Sequence, residues 1–183
     1  AFPSTFDTIV QGRMHSARAE HTSSAILRDN ELAVLAGGLG STGVTSSVEI
    51  FTVNPGQTGC LDNLTASTTA GCFIQPEGIE LATARRAHAA VVINQGRRIV
   101  YMGGYTAVNE ADSTATVEVF DAETLQLAGG GSLSQPRGDL TATQMFDGEG
   151  EYIVVAGGRR ANSPLGTVER LVPIGGNTFR TDV

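Results

Sequence analysis

Ala84-Arg85-Arg86-Ala87-His88, the apolar run Ala89 to Ile93, then Ile99-Val100-Tyr101-Met102-Gly103-Gly104 and Val117-Glu118-Val119-Phe120 form the stretch that decides the fold. The same order occurs on either side of it. Upstream stand Ala17-Arg18-Ala19-Glu20-His21, an apolar run to Leu27, Leu32-Ala33-Val34-Leu35-Ala36-Gly37-Gly38 and Val48-Glu49-Ile50-Phe51. Downstream stand Pro136-Arg137-Gly138-Asp139-Leu140, Thr141 to Phe146, Tyr152-Ile153-Val154-Val155-Ala156-Gly157-Gly158 and Val168-Glu169-Arg170-Leu171. An Arg, an apolar strand, a Gly-Gly and a Val-Glu recur in fixed order three times, which is the mark of a repeat architecture.

Each element reads as a strand. The apolar runs are short and bounded by polar turns of hairpin length, Arg28 to Glu31, Asn94 to Arg97 and Asp147 to Gly150. Leu32 to Ala36 and its counterparts are apolar at consecutive positions, which predicts strands covered on both faces. A Gly-Gly at a strand end allows backbone angles and close approaches that a Cβ forbids. The Val-Glu segments give third strands, and weaker signals place fourth strands over Cys72 to Gln75, Leu125 to Ala128 and Asn177 to Asp182. Residues 5–11 read as a further outer strand.

The chain resembles the kelch family, whose repeat opens Arg-x-x-His, continues through an apolar strand to a diglycine, and ends in a Val-Glu-x-aromatic strand. Arg18 with His21 and Arg85 with His88 fit that opening, whereas Arg137 is followed by Leu140 in the place of His. Gly37-Gly38, Gly103-Gly104 and Gly157-Gly158 fit the diglycine, and Phe51 and Phe120 stand where the family usually has Tyr. Leu171 departs further, and the family's outer-strand Trp is missing because the chain has none. The resemblance covers residues 5–183 and implies an all-β fold of three four-stranded antiparallel propeller blades, at about 13–80, 81–130 and 131–183. Residues 5–11 would then be the outer strand of a preceding or closing blade.

Propellers close with about four to eight blades, so three leave two apolar faces open to water. The ring would be incomplete unless further blades close it. They could come from the remainder of a longer protein, from a second copy giving six blades, or from a different chain. The sequence opens Ala1-Phe2-Pro3 with neither an initiator Met nor a charged-then-apolar leader, which fits a processed chain or a piece of a longer one.

Composition excludes several partners. Hydrophobic residues at 40% against charged residues at 17% suit a folded domain, and 23 Gly suit many tight turns. A net charge of −7, with basic residues paired only at Arg85-Arg86, Arg97-Arg98 and Arg159-Arg160, argues against nucleic acid. No apolar run approaches the roughly 20 residues that span a bilayer, so membrane insertion is not expected. Cys60 and Cys72 share one loop, where a disulfide would be worth about 3 kcal/mol by loop-closure entropy. The alternative is two reduced thiols; a disulfide would place the protein outside the cell, in a periplasm or at a cell surface. Asn63-Leu64-Thr65 in the same loop is a glycosylation sequon.

Chemistry-bearing residues fall into two groups. Arg18, Arg85 and Arg137, and Glu49, Glu118 and Glu169, recur once per repeat, whereas a catalytic group is normally unique in a chain. They read as framework, each Arg forking onto a Glu or a backbone carbonyl. No nucleophile elbow, zinc-protease helix or phosphate loop is present, and neither a metal nor a cofactor is expected. Glu110 and Asp112 lack the dense oxygen spacing of a cation loop. The expected function is non-catalytic binding of a protein or glycan by an exported or cell-surface scaffold or adhesion component. The binding loops would be Leu39 to Thr45, Tyr105 to Thr116 and Arg159 to Thr167, with Tyr105, Asn109, Glu110, Asp112, Arg159, Arg160 and Asn162 as contacts. The alternative is part of a propeller enzyme such as a galactose-oxidase-like carbohydrate oxidase, which bound copper in the complete protein would reveal.

Overall fold

A computed structural model describes residues 14–26, 32–52 and 72–183. Within them the fold is all β, and each repeat makes one four-stranded antiparallel sheet whose strands follow in chain order. The first sheet consists of Thr22–Ile26, Leu32–Ala36, Val48–Thr52 and Cys72–Ile74. The second consists of Ala89–Ile93, Arg98–Met102, Thr116–Asp121 and Gln126–Ser132. The third consists of Thr141–Asp147, Gly150–Ala156, Val168–Gly175 and Thr178–Asp182. The turn at 28–31, the outer strand at 5–11, the sequon and Cys60 lie outside the described residues, and so does the expected Cys60–Cys72 pairing.

Local chemistry explains the hairpins. Between the first two strands of the second sheet the chain makes a left-handed turn, with Asn94, Gln95 and Gly96 at φ 51°, 56° and 84° and the Arg97 N–H donating to the Asn94 carbonyl at 3.2 Å. In the third sheet Asp147 Oδ1 accepts the Glu149 and Gly150 N–H groups at 2.9 and 3.2 Å, an Asx-type turn. The second sheet's last strand differs from its expected span of Leu125 to Ala128. It begins at Gln126, because Leu125 turns at φ 55°, and runs through three glycines to Ser132. These glycines are not a turn. A Cβ on Gly130 would lie 3.0 Å from both Val117 Cγ1 and Val119 Cγ2 of the adjacent strand and 3.2 Å from the Asn177 carbonyl of the third repeat, so a side chain there would crowd both.

The sheets stack face to face. Ile99, Tyr101 and Phe120 of the second sheet share one core with Ile26, Val34, Ala36, Val48 and Ile50 of the first. The opposite face of the second sheet, Val100, Met102, Val117 and Val119, shares another with Ile153, Val155, Leu171 and Phe179 of the third. Ile99 through Met102 are therefore each 0% exposed, and the unbroken apolar run follows from burial on both faces. The third sheet's far face, with Val154, Ala156 and Val168, is not covered in the same way: Val168 is 54% exposed. The described sheets do not close into a ring.

Candidate functional site

The diglycines and the Arg-bearing turns gather at one end of the stack, and the site is built there. Arg85 Nη1 donates to the carbonyls of Gly103 and Thr116 at 2.9 and 3.0 Å. Its Nη2 donates to Thr116 Oγ1 at 2.5 Å and pairs with Glu118, and its Nε reaches the Thr83 carbonyl at 3.2 Å. Glu118 in turn accepts the Ala82 and Thr83 N–H groups at 2.7 and 3.2 Å. Arg137 repeats this onto Gly157, Thr167 and Glu169, and Arg18 onto Gly37, Ser47 and Glu49. Each guanidinium thus ties the end of the second strand to the start of the third, and all three side chains are 0% exposed. Burial pushes the pKa of Arg85 down from its ordinary value, and Glu118 opposes that shift. Arg137 Nε alone lacks a partner. Groups so enclosed hold strands in register; they are out of reach of a solute.

A second buried cluster lies between the first and second sheets. Thr22 Oγ1 and His88 Nε2 are 2.9 Å apart, and the imidazole stands edge-on to Tyr101 with ring centroids 5.9 Å apart. His88 Nδ1, His21 Nδ1 and the Tyr101 hydroxyl have no hydrogen-bond partner. Burial, then the charges of Arg85 and His21, push the His88 pKa down to about 3. Burial and then Glu118 push that of Tyr101 upward. A neutral histidine in the fold that is protonated once unfolded makes stability depend on pH. Stability is full above the ordinary histidine pKa of about 6.5 and is lost as pH falls toward about 3, at about 1.4 kcal/mol per pH unit. His88→Leu, which installs the residue that Leu140 supplies in the next repeat, should flatten the acid limb of a plot of urea midpoint against pH. A variant as acid-sensitive as the parent would remove His88 as the cause.

The loop residues divide. Tyr105 is fully buried and does not face solvent. Its ring lies 4.9 Å beneath the Arg86 guanidinium, and its hydroxyl donates to Asp139 Oδ2 at 3.0 Å. A Cβ on Gly138 would come 2.4 Å from the Tyr105 ring, so glycine there admits the ring into the joint between repeats. Asn109, Asp112, Arg159, Arg160 and Asn162 are exposed, and Glu110 is half-buried. Glu110 and Arg159 meet at 3.3 Å, which brings the loops of the second and third repeats together on one rim. Arg159–Arg160 and Ser163–Pro164 form a short ribbon closed by Ala161 and Asn162 at φ 47° and 64°, the geometry of a tight two-residue hairpin turn.

Sequence reasoning missed Arg86, Glu20 and Asp139. Arg86 pairs with Glu20 of the preceding repeat and donates to the Ala107 and Val108 carbonyls at 3.1 and 2.7 Å, pinning the longest loop. Ala19 and Gly138 occupy the corresponding positions of the other repeats, so no periodic signal could have found this contact. Among the described residues no three His, Cys, Asp or Glu side chains are grouped to hold a metal ion, and no helix is long and apolar enough to cross a membrane. No family model matches the chain, and no curated protein is similar enough to count as a relative.

Proposed function

We propose that the three repeats are kelch-type blades of a β-propeller and that the rim carrying the post-diglycine loops binds a protein or a glycan. The observation that carries this reading is the contrast between what recurs and what does not. The recurring Arg and Glu side chains are enclosed, whereas Asn109, Asp112, Arg159, Arg160 and Asn162 do not recur and are exposed at one end. Positions a fold requires repeat with the fold, and positions that read a ligand are free to differ. Backbone turns and the Arg86 clamp hold these loops before any ligand arrives, which lowers the entropy lost on binding. Export belongs to the same reading and rests on a Cys60–Cys72 link.

The test uses a panel of immobilised neutral and acidic oligosaccharides. Arg159→Ala, Arg160→Ala and Asn162→Gly combined, with glycine keeping the left-handed backbone at 162, should leave thermal stability within about 0.5 kcal/mol of the parent. The same change should weaken binding about ten-fold or more, as loss of a central contact cluster does. Glu123→Ala, at the opposite end of the second sheet, should leave binding untouched. Equal binding by the triple variant and the parent would refute the rim as the recognition surface.

A further inference from the structure

The first and second repeats, and the second and third, meet through one set of backbone contacts. The Gly38 N–H donates to the Arg85 carbonyl at 2.8 Å, and the Gly104 N–H to the Arg137 carbonyl at 2.8 Å. The Ala87 N–H donates to the Glu20 carbonyl at 2.9 Å, and the Asp139 N–H to the Ala87 carbonyl at 2.9 Å. Gly37 and Gly103 share φ +65°, and a Cβ on either would stand 2.4 or 2.5 Å from the Arg carbonyl of the following repeat.

The side chain that plugs each junction differs. Between the second and third repeats it is Leu140, whose two methyls would each lie 3.1 Å from a Cβ on Gly103. Between the first and second it is His88, whose Cε1 would lie 2.9 Å from a Cβ on Gly37 and whose Nε2 is 2.9 Å from Thr22 Oγ1 of the first sheet. The surroundings of this imidazole disfavour a proton. Arg85 in its own turn and His21 on the first repeat both oppose a positive charge there, and the Tyr101 ring stands edge-on to it. The carboxylates of the elements that meet at this turn are engaged elsewhere: Glu118 with Arg85, Glu20 with Arg86, and Asp139 with the Tyr105 hydroxyl. His88 Nδ1 has no hydrogen-bond partner.

We infer that the first junction is an acid-operated hinge: proton uptake by His88 parts the Gly37–Gly38 strand end from the Arg85–His88 turn, while the Leu140 junction stays shut. Burial holds His88 neutral in the closed junction down to about pH 3, whereas an exposed imidazole takes its proton near 6.5. Each pH unit of acidification between those values favours the open junction about ten-fold. Opening also separates Glu20 from Arg86, which then holds the Ala107 and Val108 carbonyls of the longest loop without its carboxylate. None of this requires the rim to bind a ligand, so the hinge and the recognition surface can fail separately.

Hydrogen exchange resolved residue by residue on the full 183-residue chain, with the intrinsic rate at each pH divided out, tests it. The range runs from about pH 7 to about pH 4.5, where exposed carboxylates stay mostly ionised. The Gly38 and Ala87 N–H groups, which bond across the first junction, should lose protection about ten-fold per pH unit below about 6.5. The Gly104 and Asp139 N–H groups, which bond across the second, should keep theirs. His88→Leu should abolish the acid response at Gly38 and Ala87. Leu140→His should create one at Gly104 and Asp139, a gain that does not depend on how well the first variant folds. Loss of protection at all four groups in step, as overall unfolding gives, would overturn the hinge. So would a folded His88→Leu chain as acid-sensitive at Gly38 and Ala87 as the parent, or a folded Leu140→His chain without the gain.

Discussion

Arg85→Met is expected to destabilise the chain by about 3–5 kcal/mol, the range for removing one partner of a buried ion pair. Single domains have only about 5–15 kcal/mol in total, so the variant should be largely unfolded at physiological temperature or show a much lower urea midpoint. The size of the effect follows from what remains behind. Glu118 would stay buried with its charge facing no cation, and the Gly103 and Thr116 carbonyls would each lose a donor. Adding Glu118→Leu should recover part of the loss by removing the stranded carboxylate. Recovery should be incomplete, because the Ala82 and Thr83 N–H groups then lose their acceptor. A change below about 1 kcal/mol in Arg85→Met, measured by urea unfolding, would place the node among surface ion pairs.

The repeat was legible because it is made of residues that have no substitutes. A fork of donors that bridges two carbonyls and a carboxylate requires Arg, and a joint whose backbones nearly touch requires Gly. Such positions survive in all three copies, and their order predicted three sheets. Strand ends were legible only where turn chemistry marks them. The sequence reading ends the second sheet's last strand at Ala128, yet the strand runs on through Gly129-Gly130-Gly131, where Gly130 sits at a register shift against Val117 and Val119 and close to the Asn177 carbonyl of the third repeat.

The candidate site was legible in part. The exposed residues of the Arg159–Arg160 ribbon could be anticipated from their place after a diglycine. Tyr105 could not, because its position in the loop says nothing of the space that Gly138 leaves for its ring. The Arg86–Glu20 pair spans two repeats and occurs once, so neither periodicity nor local spacing announces it. The same limit applies to His88: its place in the repeat is visible in the sequence, but its lowered pKa comes from burial beneath the neighbouring sheet.

The sharpest contrast within the chain is between Gly103→Ala and Gly157→Ala. Both residues have φ +65°, so alanine at either pays for a left-handed backbone, about 1–2 kcal/mol. At Gly103 the new methyl would also stand 2.5 Å from the Arg137 carbonyl and 3.1 Å from both Leu140 methyls. That carbonyl is itself fixed by the Gly104 N–H at 2.8 Å, so it cannot withdraw without opening the junction. Overpacking of this kind adds about 1–3 kcal/mol, for a total of about 2–5 kcal/mol at Gly103. At Gly157 nothing lies closer than 3.7 Å, and only the backbone penalty applies. Urea unfolding should therefore show Gly103→Ala as the weaker fold by at least about 1 kcal/mol. Equal losses would mean that the left-handed turn alone requires glycine, and that close approach between successive repeats does not.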